Sequence, residues 1–484
     1  METNLEADLK ELRQVFNSGK TKESSWRISQ LHGLLHMLED REGDISMALK
    51  QDLGKHHVEA YRDEIGTVVK SVNYALKNLK QWMAGKKASL PVAAFPSKAE
   101  LLPEPLGVVL IISSWNFPIG LSLEPMIGAI AAGNAVVLKP SELASSCSSV
   151  LAETIRDYLD NSAVKVIEGG SAIGERLLQH KFDKIFFTGS TKVGRCVMSA
   201  AAQHLTPVTL ELGGKCPAVV DSFSSSRDSS IAAKRIIWGK FGACAGQACI
   251  GIDYILTEKK NASNLVEIFK KYITQCYGDG PKGFHNMSNI INKKHFSRLK
   301  NLLDEPGLDL RLFMVVCWMK RACKYIGPTI LVDPPLDAAI MTEEIFGPLL
   351  PVITLERIEE SIEFIRARPK PLALYAFTDN ENFQKRLISE TSSGSIMFND
   401  VILQYAVDTL PFGGVGESGF GRYHGKYSFE NFSHDKVVFI RSFLIDFWFR
   451  YPPWDDKKLQ LIKAGLRFDY LNVILIALGL KSKA

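Results

Sequence analysis

The pattern of apolar and polar positions changes along the chain. In the first eighty or so residues, apolar side chains recur at helical spacing with few helix breakers, as in Trp26, Leu31 and Leu34. This spacing predicts a helical lead-in. A polar stretch with two prolines follows at residues 86–98 (KKASLPVAAFPSK), and beyond it the helical periodicity gives way to short apolar runs.

These short runs have the length of strands and alternate with helical segments. The first region carries runs at 107–113, 135–140, 163–169 and 184–190, and a second region from about residue 207 to residue 400 carries runs at 218–221, 253–257, 329–333 and 349–356. Wholly apolar strands separated by helices are typical of parallel sheets that helices cover on both faces. The sequence therefore predicts an α/β fold with two such sheets.

Composition and charge narrow the class of protein. A chain of 484 residues with 46% hydrophobic content can bury large cores in two or three domains. The net charge of +5 is small against 58 basic and 53 acidic residues, and we find no long basic run with interleaved aromatics, so nucleic acid is not an expected partner. The 8 cysteines are scattered without a CxxC pair, which favours reduced thiols over disulfides or a zinc site, and no metal is expected.

The two ends of the chain bear on its location. The N-terminal segment METNLEADLKELRQVF is acidic and amphipathic, unlike a secretory signal or a transit peptide, so we expect a cytoplasmic protein. No apolar run approaches the roughly 20 residues that span a bilayer. The tail, residues 443–484, mixes aromatic and apolar residues with Lys and Arg. This mixture fits either a helix packed on the protein's own surface or peripheral contact with a membrane such as the endoplasmic reticulum.

Two runs contain side chains suited to covalent and acid–base chemistry. Cys249 follows a loop rich in Gly and Ala (FGACAGQACIG), where a thiolate would be open to a substrate. Glu211 ends an apolar strand just before two glycines (VTLELGGK), where burial would raise its pKa towards the range of a general base. Each has a plain alternative, namely a structural cysteine and a carboxylate that caps a turn.

Two further runs place polar groups where predicted strands end. Asn116 in SSWNFP has an amide that suits either an oxyanion or a turn. In FFTGSTKVGR, Gly189 and Gly194 surround a helix start that Ser190 and Thr191 could cap, and helix N-termini suit a pyrophosphate. The run matches neither the GxGxxG fingerprint nor a Walker loop, so by itself it is a weak signal.

Taken in order, the runs SSWNFP, LKPSE, FFTGSTKVG, TLELGGK, GQAC, EEIFGP and PFGGVGESGFG resemble those of the aldehyde dehydrogenase superfamily over nearly the whole chain. The GQACI and HGKYSFENFSH segments are most similar to the class 3 branch, particularly to its plant F-type members. The resemblance implies NAD(P)-dependent oxidation of aliphatic and aromatic aldehydes to carboxylic acids. It leaves open a relative that forms acyl-CoA or is specific for a semialdehyde, and a catalytically silent binding protein.

The resemblance also implies an architecture. It consists of a Rossmann-like, parallel-sheet NAD(P)-binding domain (residues 1–84 and 106–209), an α/β catalytic domain (210–400), a small β oligomerisation element (85–105 and 401–441) and a C-terminal tail (442–484). We expect a homodimer by similarity to class 3 relatives.

Carried over residue by residue, the resemblance assigns three catalytic positions. Cys249 is the nucleophile that forms a thiohemiacetal with the aldehyde, and loss of hydride to the nicotinamide leaves a thioester. Glu211 activates the water that hydrolyses this thioester. The Asn116 amide and the Cys249 backbone N–H form the oxyanion site.

For the cofactor, the resemblance assigns Lys139 and Glu142 to the adenosine ribose. A carboxylate there accepts hydrogen bonds from ribose hydroxyls and repels a 2′-phosphate, which favours NAD, with NADP as an alternative. The remaining assigned positions form the pyrophosphate-contacting helix start and the nicotinamide side of the site; these are Gly189, Ser190, Val193, Gly194, Gly213, Glu344 and Phe346.

The chain departs from the family pattern in two places. Cys244 stands where relatives commonly have Asn, and its CxxxxC spacing to Cys249 suggests the hypothesis of an inactivating disulfide under oxidation. Residues 310–324 are apolar and basic where relatives carry a polar turn, and the resemblance resumes at Tyr325. Two compensating frameshifts or a variant edge hairpin would both produce this pattern.

Overall fold

The computed structural model describes residues 5–91, 94–223, 225–278, 286–305, 319–320 and 324–480. The chain forms two compact units, of which the first comprises Met1–Trp82 with Pro105–His434 and the second Met83–Glu104 with Asp435–Ala484. The hypothesis about residues 310–324 falls outside the described residues, apart from the backbone of 319–320 and Lys324.

The described part of the chain contains the following regular elements. The α-helices are Leu5–Asn17, Ser24–Asp40, Glu42–Leu53, His57–Ala60, Gly66–Met83, Gly120–Ala132, Ser145–Tyr158, Ser171–Leu178, Thr191–Ala202, Ser226–Phe241, Lys259–Tyr277, Lys293–Leu303, Ala339–Thr342, Glu360–Arg366, Glu381–Glu390, Gly425–Asn431, Asp456–Leu466 and Tyr470–Ala477. The strands are β1 (Lys86–Lys87), β2 (Lys98–Pro105), β3 (Val108–Ile112), β4 (Ala135–Lys139), β5 (Val164–Val166), β6 (Lys184–Thr188), β7 (Val208–Glu211), β8 (Pro217–Val220), β9 (Tyr254–Glu258), β10 (Met319–Lys320), β11 (Tyr325–Ile326), β12 (Thr329–Val332), β13 (Leu349–Leu355), β14 (Ala373–Phe377), β15 (Ser395–Phe398), β16 (Gly419–Phe420) and β17 (Ser433–Ile440).

The first large sheet has the order β16-β7-β6-β3-β4-β5. Strands β3 to β7 run parallel, and only β16 is antiparallel, pairing with β7. The connections run outward in one direction from β3 and in the other from β6, which is the doubly wound order of nucleotide-binding sheets. Ligands of such sheets bind at the carboxyl ends of the strands beside this switch point, so the residues that follow β3 and β6 lie at the expected site.

The second large sheet has the order β12-β13-β9-β8-β14-β15, and all its strands are parallel. Its central strands are buried because helices cover both faces; all residues of β9 and β14 are removed from solvent. Leu256, Leu331, Leu349 and Leu374 are fully buried members of one core cluster that packs this sheet against its helices. The predicted α/β class with parallel sheets is confirmed.

Helices occupy most of the first eighty residues, as the helical spacing predicted. Each of the eight predicted strands has a counterpart with bounds within a few residues, from β3 and β4 in the first sheet to β12 and β13 in the second. The apolar run carries this signal because a strand buried on both faces has no polar side to interrupt it.

The second unit contains a small three-stranded sheet and two α-helices. Its sheet has the order β1-β2-β17, so β17 forms an edge. The helices Asp456–Leu466 and Tyr470–Ala477 pack together through Leu461, Ala464 and Ile476. Among the described residues, none of the helices combines the length and apolar character that a bilayer-spanning helix requires.

A buried carboxyl in the helix Gly120–Ala132 yields a pH-dependent prediction. Glu124 is fully buried, accepts a hydrogen bond from Ser71 Oγ at 2.7 Å, and has its pKa raised by burial from 4.5 to about 8. Because the folded pKa exceeds the unfolded one, the stability contributed by protonated Glu124 is complete below pH 4.5 and is lost as the pH rises towards 8.

We therefore expect Glu124→Gln to increase the free energy of unfolding at alkaline pH and to change it little in acid. A glutamine keeps a hydrogen-bonding oxygen and never ionises, so the gain should grow by at most about 1.4 kcal/mol per pH unit. Urea unfolding of both proteins at several pH values measures this difference. A pH-independent difference would contradict the assigned ionisation.

Candidate active site

A cavity of about 430 Å³ opens at the carboxyl ends of β3, β6 and β7. It lies at the switch point of the first sheet, where the doubly wound topology predicts a ligand site. Loops after the three strands, the helix Lys293–Leu303 and two further loop segments supply its lining, which consists of Ser114, Trp115, Asn116, Thr188, Gly189, Ser190, Thr191, Lys192, Glu211, Leu212, Gly213, Cys249, His295, Arg298, Glu343, Glu344 and Phe346.

Cys249 is half-buried in this cavity and carries a free thiol. Burial, followed by the charges of Glu344 and Glu211, raises the pKa of this thiol to about 12. The thiol is therefore protonated at neutral pH in the protein alone. Attack on a substrate requires that a base remove this proton or that a bound positive charge lower the pKa.

Glu211 ends β7, where its backbone lies opposite Thr188 of β6 and Gly419 of β16. Its side chain is only 3% exposed, and neither carboxylate oxygen has a hydrogen-bond partner among the described residues. Burial raises the pKa of this carboxyl well above its usual value. An unpaired buried carboxyl that lines a cavity is suited to exchange protons with a ligand or with water.

Asn116 follows β3 and is buried, with its side chain directed at the loop of Cys249. Its Nδ2 donates a hydrogen bond to the backbone oxygen of Gln247 at 2.9 Å. An amide nitrogen carries two hydrogens, so this bond fixes the orientation of the group while one donor remains. Asn116 therefore has a second N–H to donate, and the residue lines the cavity that contains Cys249.

The loop after β6 starts the helix Thr191–Ala202. Ser190 is its N-cap residue, and the Ser190 hydroxyl accepts a hydrogen bond from the backbone N–H of Val193 at 3.4 Å, as the sequence predicted. Gly189 donates its N–H to the carbonyl oxygen of Glu211 at 3.1 Å, which ties this loop to β7. The first N–H groups of an α-helix have no partner within the helix, and such groups suit an anion.

The segment Glu343–Phe346 is held by charged side chains from three directions. Lys215 Nζ donates to the carbonyl oxygen of Glu343 at 2.8 Å, Asp253 Oδ1 accepts from the N–H of Ile345 at 3.0 Å, and Arg298 Nη2 donates to the oxygen of Ile345 at 2.6 Å. Lys215 and Asp253 also form an ion pair with each other. The segment is thereby fixed despite the left-handed backbone of Phe346, whose φ is 48°.

Glu344 lies against Gly213, where a β-carbon would collide with the Glu344 carboxylate. Burial, with the charge of Asp253 as the next cause, raises the pKa of Glu344 to about 8. Its Oε1 has no hydrogen-bond partner in the described part of the chain. Gly213 thus provides the space in which this carboxyl faces the cavity.

The structure does not bring every proposed cofactor residue into the cavity lining. Lys139, at the end of β4, is buried and pairs with Glu142 at 3.1 Å, and neither residue lines the cavity. Val193 is exposed and Gly194 is buried one turn into their helix. All three proposed catalytic residues do line it, together with the cofactor candidates Gly189, Ser190, Gly213, Glu344 and Phe346.

The sequence analysis missed several lining residues. The Trp115 ring lies 5.1 Å from the His295 ring and 5.3 Å from the Phe346 ring, so these aromatic groups form one wall. Burial lowers the pKa of His295 to about 4, which keeps its imidazole neutral. Of these three residues, the sequence pointed only to Trp115, because it is the neighbour of Asn116. His295 and Arg298 belong to an ordinary amphipathic helix, whose pattern does not mark them as site residues.

The neighbouring thiols are also fixed. Cys216 Sγ lies 3.3 Å from the carbonyl oxygen of Cys249, and Cys244 is fully buried with its backbone N–H bonded to Glu59. Both thiols are free, and the oxidative pairing of Cys244 with Cys249 stays a hypothesis. Among the described residues, no group of three His, Cys, Asp or Glu side chains is arranged to hold a metal ion.

Comparisons with known proteins identify the family of this chain. The model of the aldehyde dehydrogenase family matches residues 2–438. The chain is 52% identical over 481 residues to aldehyde dehydrogenase family 3 member F1 of Arabidopsis thaliana, covering 99% of each. It superposes on a substrate-bound structure of AldH from Staphylococcus aureus with a TM-score of 0.91 at 41% identity, covering 96% of this chain and 99% of that one.

A solved NAD-dependent aldehyde dehydrogenase from Sinorhizobium meliloti is also similar, with a TM-score of 0.80 at 27% identity over 91% of this chain and 88% of that one. The class 3 resemblance seen in the sequence is confirmed by the family 3 relatives. The chain belongs to the aldehyde dehydrogenase family, in its family 3 branch, and is an oxidoreductase that oxidises aldehydes with NAD or NADP.

Proposed function

We propose that Cys249, Glu211 and Asn116 carry out the oxidation of aliphatic and aromatic aldehydes to carboxylic acids. One observation carries this proposal: a thiol, an unpaired buried carboxyl and an amide with a spare N–H line one cavity at the switch point of the first sheet. The carboxylic acid is the product that hydrolysis of a thioester on Cys249 releases.

The first bond forms between Cys249 Sγ and the carbonyl carbon of the aldehyde. The thiol must lose its proton to solvent for this step; the charges of Glu344 and Glu211 raise its pKa, and the positive charge of a bound cofactor would lower it. As the carbonyl becomes tetrahedral, its oxygen gains negative charge. The spare N–H of Asn116 and the backbone N–H of Cys249 are the donors that stabilise this oxygen.

Glu211 acts in the second half of the reaction. Its carboxylate accepts a proton from the water that attacks the thioester, and Cys249 leaves as a thiolate. The absence of a hydrogen-bond partner for Glu211 among the described residues supports this role, because a paired carboxylate would be a weaker base.

The lining residues fit a dinucleotide. The helix start at Ser190 offers N–H groups for the pyrophosphate, with Gly189, Val193 and Gly194 in the same turn. Glu344, whose Oε1 lacks a partner in the described part of the chain, would accept from a ribose hydroxyl, with Gly213 and Phe346 beside the nicotinamide. Bound NAD or NADP supplies the hydride acceptor and a positive charge near the thiol.

Lys139 and Glu142 are proposed to hold the adenosine ribose outside the cavity itself. The Glu142 carboxylate pairs with Lys139. Because the Glu142 side chain is also partly exposed, its carboxylate is available to ribose hydroxyls. The same charge disfavours a 2′-phosphate. NAD is therefore the proposed cofactor in use, with NADP as a weaker alternative.

Asn116→Ala is the direct test of the oxyanion assignment. We expect kcat to fall by about 10²- to 10³-fold, because the donor stabilises charge that develops only in the transition state. Cofactor affinity should not change, since the substituted group is not a proposed cofactor contact. Steady-state NADH formation from hexanal measures kcat, and quenching of protein fluorescence measures NAD affinity, so the two effects can be separated. Wild-type kcat in the variant would contradict the role.

The proposed domain roles keep the ranges that the resemblance implies, although β16 of residues 401–441 pairs with β7 of the first sheet. We assign residues 1–84 and 106–209 to cofactor binding, 210–400 to catalysis, and 85–105 with 401–441 to oligomerisation. A homodimer is supported by β17, an edge strand with the exposed apolar side chains Val437, Phe439 and Ile440. Pairing with a second copy would cover such an edge.

We further propose a cytosolic protein whose tail, residues 442–484, contacts a membrane surface such as that of the endoplasmic reticulum. The second unit exposes a set of large apolar side chains: Phe443, Leu444, Trp454, Leu466, Phe468, Leu471 and Leu478. Basic residues such as Arg450, Lys457 and Lys463 are interspersed with them. Apolar side chains among lysines and arginines favour binding to anionic lipid headgroups.

Flotation with vesicles of phosphatidylcholine and phosphatidylserine tests the tail. The full chain should float with the vesicles, and a chain that ends at residue 441 should remain at the bottom of the gradient. Leu466→Glu, which places a charge on the exposed apolar surface without shortening the chain, should reduce flotation. Equal flotation of the full and shortened chains would contradict the proposal.

A further inference from the structure

Segment 55–64 contains three charged residues that are removed from solvent. Lys55 is 1% exposed, Glu59 8% and Glu64 0%. Ionised groups in the interior are strongly unfavourable unless each is paired and hydrogen-bonded. The contacts of these three residues therefore show which parts of the fold segment 55–64 holds in place.

Lys55 and Glu64 form a buried ion pair with an N–O distance of 2.5 Å. Lys55 Nζ also donates to the backbone oxygen of Asn116 at 2.9 Å. Glu64 Oε2 accepts from the N–H groups of Ile119 and Gly120 at 2.8 and 3.2 Å. One ion pair thus holds both ends of the turn Asn116–Gly120.

The carboxylate of Glu64 serves as a cap from another part of the chain. Ile119 is the N-cap residue of the helix Gly120–Ala132, and its aliphatic side chain cannot accept the free N–H groups of the first turn. Glu64 accepts two of them, and its negative charge suits the positive end of the helix dipole. The helix start, and the turn before it, are therefore fixed by Glu64.

Two more contacts restrict the turn. The Lys55 ammonium lies 4.1 Å from the centre of the Phe117 ring, which directly follows Asn116. Glu64 itself lies in a π-helical turn, Tyr61–Ile65. Such turns are rare in proteins overall, but many of those that occur lie at functional sites, where the extra residue reorients a side chain.

Glu59 performs a parallel role for the loop of the nucleophile. Its carboxylate accepts the backbone N–H of Cys244 at 2.9 Å and the hydroxyl of Ser288 at 2.9 Å. The backbone oxygen of Gln247, in the same loop, accepts the hydrogen bond from Asn116 Nδ2. The segment therefore contacts both the turn of Asn116 and the loop that leads to Cys249.

We propose that Lys55 and Glu64 are positioning residues that hold the Asn116 amide at the place where the oxyanion forms. Neither residue lines the cavity, so they act through Asn116 and not on the substrate. The proposal rests on the oxyanion role proposed above for Asn116. A buried ion pair generally adds little to stability relative to apolar residues of similar volume, so the contacts of Lys55 and Glu64 with the turn of Asn116 are the observation that supports a positioning role.

The test removes both charges together with Lys55→Met/Glu64→Gln. The glutamine retains an oxygen for the N–H groups of Ile119 and Gly120, whereas the methionine no longer donates to Asn116. We expect kcat to fall about 10- to 100-fold, the effect of a small displacement of a catalytic group. The affinity for NAD and the rate of Cys249 alkylation by iodoacetamide should stay at wild-type values.

Arg27→Met is the matched control, because Arg27 holds the other end of the same helix. Arg27 is 4% exposed and donates to the oxygen of Ala131 at 3.1 Å and to that of Thr21 at 3.3 Å. Its substitution should lower the melting temperature and leave kcat of the folded enzyme unchanged. An equal fall in kcat in this variant would mean that helix stability, and not the position of Asn116, governs the rate.

A double-mutant cycle with Asn116→Ala decides between positioning and an independent effect. If Lys55 and Glu64 act through Asn116, their substitution has no further effect on kcat once Asn116 is alanine. Multiplied effects overturn the positioning role and leave the oxyanion role intact. Full activity of Asn116→Ala alone overturns both the positioning role of Lys55 and Glu64 and the oxyanion role of Asn116. If the double variant is insoluble, Glu64→Asp, which keeps both charges, should give a smaller fall in kcat that also vanishes in the alanine background.

Discussion

Cys249→Ser should abolish aldehyde oxidation, with kcat lower by roughly 10⁴-fold or more. A hydroxyl is far less acidic than a thiol, and the site already raises the pKa of Cys249 to about 12 through burial and two neighbouring carboxyls. A serine would therefore stay protonated and unreactive in the same surroundings. NADH formation from hexanal and from benzaldehyde measures the loss for both substrate classes.

The matched control for this prediction is Cys276→Ser. Cys276 is an exposed thiol in the helix Lys259–Tyr277 and does not line the cavity. It should keep the kcat of the wild type, and both variants should bind NAD with unchanged affinity. Substantial activity in Cys249→Ser would mean that another group attacks the aldehyde, or that the reaction needs no covalent intermediate.

Glu211→Gln should stop the reaction at the thioester. Without a base for the attacking water, hydrolysis should slow by about 10²- to 10⁴-fold. One equivalent of NADH should form in a burst, and mass spectrometry of the quenched protein should find the acyl group on Cys249. A variant that shows neither a burst nor an acyl adduct would indicate that Glu211 acts before thioester formation.

The pH dependence provides a second measure of the same residue. Because burial raises the pKa of Glu211 well above its usual value, the base form grows as the pH rises through that higher pKa, and hydrolysis by the wild type should accelerate accordingly. The glutamine variant should lack this acceleration. Glu124→Gln, an equal change in a buried carboxyl outside the cavity, should retain it.

The core strands could be predicted from local pattern alone. The strands β3, β4 and β6 are apolar except for Lys139, Lys184 and Thr188 at their ends, and such short apolar runs are the signature of a strand buried on both faces. The apolar pattern cannot predict strands of only two residues. Strand β16 has two residues in a glycine-rich segment, and only its contact with β7 makes it a strand.

The catalytic residues were ambiguous one at a time and clear together. Glu211 alone fits a turn cap, and the structure instead gives it an unpaired, buried position that the sequence could suggest but not establish. Lys55 and Glu64 had no local signal, because a lysine and a glutamate in a polar helical stretch are expected to face solvent. Their burial depends on the turn at Asn116, which is distant in sequence.

The pairing of β16 with β7 has a consequence for synthesis of the chain. Gly419 lies directly opposite Glu211, and the N–H of Leu212 donates to the oxygen of Ser418 at 3.1 Å, so one edge of the first sheet is completed by residues near the end of the chain. On the ribosome, β7 emerges long before this partner does. The nascent protein therefore exposes an unpaired strand edge while residues 212–418 are being synthesised, and an unpaired edge is a site for mispairing with other chains.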